Sequence, residues 1–136
     1  AVMMATYNAG RHGLGVRARF CQADFASDLT GHGLFDLILS NPPYIPSGNI
    51  GALDMDVRHF DPLAALDGGL DGLDCWRALC PQIKRLLADE GAAFVEIGAG
   101  QGTAVGMIGV ASKLYLAGSF VDLSGRERCL QFQKEI

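Results

Sequence analysis

Between Phe35 and Leu39 every residue except Asp36 is apolar, so this stretch has no alternation that would reserve one face for water. A short run of this kind fits a strand in the middle of a parallel sheet, covered on both faces. Such a strand needs neighbours and covering helices, and the rest of the chain supplies candidates. Met3, Met4 and Tyr7 fall at helical spacing before the breakers Asn8-Ala9-Gly10 and His12-Gly13. The chain therefore opens in a helix, and because no capping residue precedes Ala1 that helix is expected to begin upstream. Val16, Ala18 and Phe20 alternate with Arg17 and Arg19, which predicts a strand with one buried face, carried to its carboxyl end by Cys21 to Asp24. The stretch from Ile45 to Asp71 reads as one long irregular loop, rich in Gly, Asp and Pro. Leu73, Trp76, Leu79, Ile83 and Leu86 trace an amphipathic helix that Pro81 should kink or split and Gly91 should end. Ala92 to Ile97 is the next strand, and Gly98 to Gly102 opens a helix to about Leu116. Ser119 to Asp122 and Arg128 to Phe132 form a hairpin around Ser124-Gly125. The expected fold class is α/β, a parallel sheet finished by an antiparallel hairpin.

The 136 residues, 49% of them hydrophobic, have material for one core. No apolar stretch is long enough to cross a bilayer, so no membrane partner is expected. The opening Ala1-Val2-Met3-Met4-Ala5 lacks the pattern of a signal peptide, from which a cytoplasmic protein is expected. Cys21, Cys75, Cys80 and Cys129 form no C-x-x-C pair and read as buried free thiols. His12, His32 and His59 have no second ligand at metal spacing, so no metal site is expected. A net charge of -4 gives no global field for a polyanion, and no direct nucleic-acid contact is expected. The basic group Arg11, His12, Arg17 and Arg19 reads as a solvated helix end and strand edge.

The run Asn41-Pro42-Pro43-Tyr44 leaves the apolar strand at its carboxyl end, where open α/β sheets place their ligands. An amide or exocyclic amine is a poor nucleophile because its lone pair is delocalised, so it must be held by two acceptors. The Asn41 side-chain oxygen and the Pro42 carbonyl can accept its two N–H bonds. Pro42 and Pro43 restrict φ and stiffen those carbonyls, and Tyr44 offers a ring face to a planar group. Alignment of this kind can supply on the order of 7 to 11 kcal/mol of a barrier, which suits methyl transfer onto nitrogen. The competing reading is a Pro-rich turn in which Asn41 caps its own backbone.

Asp24-Phe25, at the end of the preceding expected strand, pairs a carboxylate acceptor with a ring, a combination suited to adenine. A helix cap and a core Phe are the plainer alternatives. Glu96-Ile97-Gly98-Ala99-Gly100-Gln101-Gly102 has the look of a nucleotide-binding turn and would imply a circularly permuted enzyme. Too few residues follow Gly102 to complete a cofactor half, which weighs against it.

Asp36 to Pro46, Val57 to Leu73, and Glu96-Ile97-Gly98 with Gln101-Gly102 resemble the protein-(glutamine-N5) methyltransferases that modify peptide chain release factors. The resemblance runs from the opening helix to Asp122-Leu123-Ser124-Gly125-Arg126-Glu127-Arg128, similar to the family's terminal hairpin. It implies a Rossmann-like sheet, S-adenosyl-L-methionine as methyl donor, and as partner a release factor offering the glutamine of a Gly-Gly-Gln loop. It further implies that Asn41, Pro42, Pro43 and Tyr44 hold the glutamine amide, with Asn41, Pro42 and Tyr44 catalytic. Asp24, Phe25 and Asn41 would border the cofactor, and Gly98 to Gly102 would be only the turn after the family's fifth strand.

The family's first two strands, Gly-rich cofactor turn and N-terminal helical domain have no counterpart in these residues. In the family's strand order, 3-2-1-4-5-7-6, the missing strands lie between the Val16 and Phe35 strands. Residues 1–136 are therefore expected to be the C-terminal portion of one catalytic domain, a fragment inactive alone that binds S-adenosylmethionine weakly or not at all. The Val16 strand is expected either to pair directly with the Phe35 strand or to be poorly ordered. Rival readings are a ribosomal-protein glutamine methyltransferase, a nucleic-acid amine methyltransferase using the same grip on a base, and an inactive binding module. Gln101 after Glu96-Ile97-Gly98 favours release factors among them.

Overall fold

The computed structural model describes residues 1–25, 27, 29, 31 and 33–135. After helix α1 (Val2–Arg11) come strand β1 (Phe35–Ser40), short helix α2 (Met55–Phe60), helix α3 (Asp74–Leu86) and strand β2 (Leu87–Glu96). Helix α4 (Gly102–Ala111) and the hairpin of β3 (Leu114–Val121) and β4 (Glu127–Lys134) complete the chain. The sheet runs β1-β2-β4-β3, with β1 parallel to β2 and the other pairs antiparallel. A parallel pair finished by an antiparallel hairpin is the expected architecture, and its order corresponds to 4-5-7-6 in the family scheme.

Helices α3 and α4 share one face of the sheet. Trp76, Leu79, Cys80 and Ile83 from α3 and Val105 from α4 join Ala93, Val95, Ile97, Leu130 and Phe132 in one core. On the opposite face Phe94 meets Phe120, with ring centroids 6.0 Å apart. Pro81 lies inside α3 without splitting it. An interior proline costs about 3 kcal/mol, whereas each large apolar side chain buried contributes about 1.5 to 3 kcal/mol. The buried stripe outweighs the break.

Several expectations are corrected. Helix α3 ends at Leu86, and Leu87 is already buried in β2, paired with Phe35; Gly91 lies inside the strand and is no helix stop. Helix α4 ends at Ala111, where Ser112 and Lys113 turn the chain into a longer β3. The Ile45 to Asp71 stretch is structured, with 3-10 turns at Ser47–Ala52 and Leu63–Ala65 on either side of α2.

The front of the chain departs most. Val16 to Phe20 forms no strand: Arg17 and Ala18 donate backbone N–H bonds to the Leu14 carbonyl, and Val16 is 99% exposed. Alternation alone does not make a strand, because the ladder bonds must come from a neighbour. The segment does not pair with β1. Among the described residues β1 pairs only with β2, so it is an edge rather than a central strand. Its Leu37 and Leu39 are 55% and 72% exposed, while Ile38 packs against the core. In α1 the residues Met3, Met4 and Tyr7 are exposed and only Ala9 is buried.

Candidate functional site

The parallel ladder ends at Ser40 paired with Val95, and Asn41 is the first residue beyond it. Asn41 is exposed, Pro42 is less than 2% accessible, and Pro43 and Tyr44 are half-buried. Neither the Asn41 side chain nor the Pro42 carbonyl has a hydrogen-bond partner among the described residues. The competing reading, in which Asn41 caps its own backbone, is therefore not what fixes the turn.

Among the described residues Asn41 borders two cavities. One, of about 400 Å3, is lined also by Ser40, Phe94, Glu96, Arg128 and Cys129. The other, of about 350 Å3, is lined by Pro42, Pro43, Tyr44, Ile45, Ala65 and Leu66. A larger apolar groove over α4, at Gly106, Met107 and Val110, lies away from the motif.

Beyond Tyr44 the chain is pinned. Ile45 donates to the Leu66 carbonyl at 3.1 Å and accepts from the Gly68 N–H at 2.9 Å, forming a parallel bridge with Asp67. The Asp67 carboxylate accepts from the Ser47 hydroxyl at 2.7 Å and the Gly69 N–H at 2.9 Å, bonds that hold its pKa below the usual range. Asp71 accepts from Arg77 at 2.5 Å, which lowers its pKa to about 2. The Tyr44 hydroxyl donates to Glu96 Oε1 at 3.0 Å. Burial first, and then that bond to a carboxylate, raises the Tyr44 pKa, so the hydroxyl is a lasting donor.

Gln101 closes the site from the β2–α4 turn. Its Nε2 donates to the carbonyls of Tyr44 at 2.9 Å and Gly72 at 3.3 Å, and its Oε1 accepts from the Gly98 N–H at 3.0 Å. Sequence reasoning saw Gln101 only as a marker of one family and missed its contacts, together with the Glu96 contact to Tyr44. The nearest signal was their position after a strand end, in Glu96-Ile97-Gly98-Ala99-Gly100-Gln101.

Asp24 and Phe25 do not end a strand. Phe25 packs half-buried against the core, and its loop is anchored by Gln82 of α3, which is 4% exposed and donates to the Ser27 carbonyl at 2.7 Å. Asp24 lies near Cys75, whose thiol pKa is raised by burial first and then by Asp74, Asp24 and Asp67. Neither Asp24 nor Phe25 lines either of the two cavities described above.

The Gly98 to Gly102 turn is closed to a nucleotide. A Cβ on Gly98 would lie 2.7 Å from Gln101 Oε1 and 3.0 Å from the Tyr44 ring. At Gly102 it would run into the Glu127 carboxylate, an anion already seated at the first turn of α4. A phosphate or carboxylate ligand would meet like charge there, which removes the permuted reading.

All four cysteines are unbridged. Cys80 is buried, with its thiol pushed up to about 12 by desolvation; Cys21 is exposed, against expectation. Among the described residues no group of three or more His, Cys, Asp or Glu side chains is placed to hold a metal ion. His32 lies outside the described residues. No helix among the described residues is long and apolar enough to cross a membrane.

A protein named release factor glutamine methyltransferase from Rhodospirillum rubrum is 48% identical over 130 residues, covering 96% of this chain and 39% of the relative. The chain is a relative of the release factor glutamine methyltransferases. Proteins of the same name from Bradyrhizobium diazoefficiens and Moorella thermoacetica are 42% and 41% identical, over 98% and 99% of the chain. The chain spans less than half the length of these methyltransferases, 45% and 48% for the last two. No family model matches. Among solved structures, a TehB-like SAM-dependent methyltransferase from Corynebacterium glutamicum superposes with a TM-score of 0.59 at 19% identity, over 98% of this chain and 62% of that one. TrmN from Thermus thermophilus gives 0.60 at 16%, over 97% and 32%. At these identities the likeness establishes the methyltransferase fold.

Proposed function

We propose that the chain supplies the acceptor-binding part of an enzyme that transfers methyl from S-adenosylmethionine to the side-chain amide nitrogen of a glutamine. The acceptor is the Gly-Gly-Gln loop of a peptide chain release factor. The observation that carries the reading is Asn41 exposed between two cavities, at the end of a strand whose following turn is pinned on both sides.

Asn41 Oδ1 takes one N–H of the glutamine amide and the recessed Pro42 carbonyl takes the other, which directs the nitrogen lone pair away from both. Held in this way, the nitrogen would face the methyl group that the cofactor would supply when bound, and its surplus N–H proton would leave to water. S-adenosylmethionine supplies the methyl on a positively charged sulfur. The described residues show little fit to this cofactor: Phe25 packs against the core, neither Asp24 nor Phe25 lines the two cavities at Asn41, and the glycine turn at α4 is filled. Asn41, which lines both cavities, would border the cofactor as well as hold the amide.

In the enzyme expressed from its native gene, Asn41→Ala should lower transfer to a release factor by about a hundredfold while cofactor affinity measured by calorimetry changes little. An unchanged rate would contradict the role assigned to Asn41. A ribosomal protein and RNA offered as alternative acceptors should remain unlabelled.

A further inference from the structure

Gln101 lines neither cavity at Asn41, yet its side chain joins three segments of the chain. The bond from the Gly98 N–H to its Oε1 closes the β2–α4 turn, and a turn needs no more than that. The two bonds from Nε2 leave the turn. One reaches the Tyr44 carbonyl at the end of the acceptor motif, and the other the Gly72 carbonyl where the following loop returns to α3.

The backbone around it is shaped to admit this amide. A Cβ on Gly72 would lie 2.8 Å from Gln101 Nε2 and closer still to the Tyr44 carbonyl, in a residue with φ of +76°. Gly98 meets the other end of the same amide. Before the motif, the ladder fixes Ser40 against Val95. Asn41 to Tyr44 therefore spans two fixed points, and Pro42 and Pro43 remove most of the remaining φ freedom between them.

We propose that Gln101 is a positioning residue for Asn41 to Tyr44, orienting the Asn41 and Pro42 acceptors without contacting the glutamine they hold. The proposal rests on the function given above. Loss of the bond to Tyr44 removes the hold on the motif's last backbone carbonyl and leaves the Ile45 bridge and the Tyr44–Glu96 bond to locate its carboxyl side. Misplacement of about 1 Å at a reacting group can cost about a hundredfold in rate.

The test uses the natively expressed enzyme, a Gly-Gly-Gln peptide as acceptor, and the variants Gln101→Glu and Gln101→Leu. A carboxylate at this position cannot donate and would face two carbonyl oxygens; once protonated it can donate one bond to Tyr44. At pH about 8, Gln101→Glu should lose between about tenfold and about a hundredfold in kcat. Relative to wild type at the same pH, it should recover towards pH about 5.5 as its carboxyl, disfavoured as an anion beside those oxygens, takes up a proton. Gln101→Leu should stay slow at both, and cofactor affinity should be unchanged in each. A Gln101→Glu to wild-type ratio independent of pH, or a wild-type kcat in Gln101→Leu, would overturn the proposal. If the wild-type enzyme methylates no glutamine peptide, the functional reading fails on its own account. The Asn41 side-chain amide resonances then decide: a shift in Gln101→Leu supports positioning, and unmoved resonances refute it.

Discussion

Asn41 stands open at the end of β1 while Pro42 is almost wholly covered, so the two acceptors assigned to one amide differ sharply in access. In the proposed role, the exposed Asn41 side chain would meet an arriving amide before the covered Pro42 does. Tyr44 supports this from behind through its bond to Glu96. Tyr44→Phe should lower stability by less than about 1 kcal/mol in urea unfolding, since the pair is partly exposed. The sign of its pH dependence follows from the raised pKa. The contribution is full below the ordinary tyrosine value of about 10 and fades as pH rises through the higher folded value, so wild type and Tyr44→Phe should converge there. Residue types made Asn41 to Tyr44 legible in the sequence, because amide oxygen, prolines and ring each have a reason to be together. Their supports were not legible. The bonds from Gln101 and to Glu96 join residues 57 and 52 positions apart, and only the folded sheet brings those strand ends side by side.

Among the elements, α3 keeps an interior proline because its apolar stripe is buried against the sheet. Pro81→Ala should restore a backbone hydrogen bond and raise unfolding stability by about 1 to 3 kcal/mol, read from the shift in urea midpoint. The loop after the motif is held partly by the Asp71–Arg77 pair. A carboxylate whose folded pKa is lowered to about 2 contributes above its unfolded value of about 3.9 and loses that contribution as pH falls through the folded one. Protection of the amides between residues 45 and 72 from hydrogen exchange should thus decline between pH about 4 and about 2, and Asp71→Asn should flatten that decline. Periodicity and turn residues located α1, β1, α3, β2 and the hairpin in the sequence. It failed for Val16 to Phe20, where alternation met no neighbouring strand, and for the start of β2, where burial of Leu87 overrode the reading of Gly91 as a helix stop.

At the scale of the molecule, the four strands reproduce the order that the resemblance implied for one side of a methyltransferase sheet, ending at an open β1 edge with exposed Leu37 and Leu39. The Asn41 to Tyr44 motif follows that edge strand, and the glycine turn read as a nucleotide-binding candidate is occupied by Gln101 and Glu127. Calorimetric titration of these 136 residues with S-adenosylmethionine should therefore give no measurable heat at micromolar concentrations, and a micromolar dissociation constant would mean that a cofactor site has been overlooked. The central claim concerns the atom that receives the methyl group. Mass-spectrometric mapping of a release factor treated with the natively expressed enzyme and S-adenosylmethionine should find one methyl on the side-chain nitrogen of the Gly-Gly-Gln glutamine. A methyl on any other residue, on RNA alone, or on nothing would contradict it.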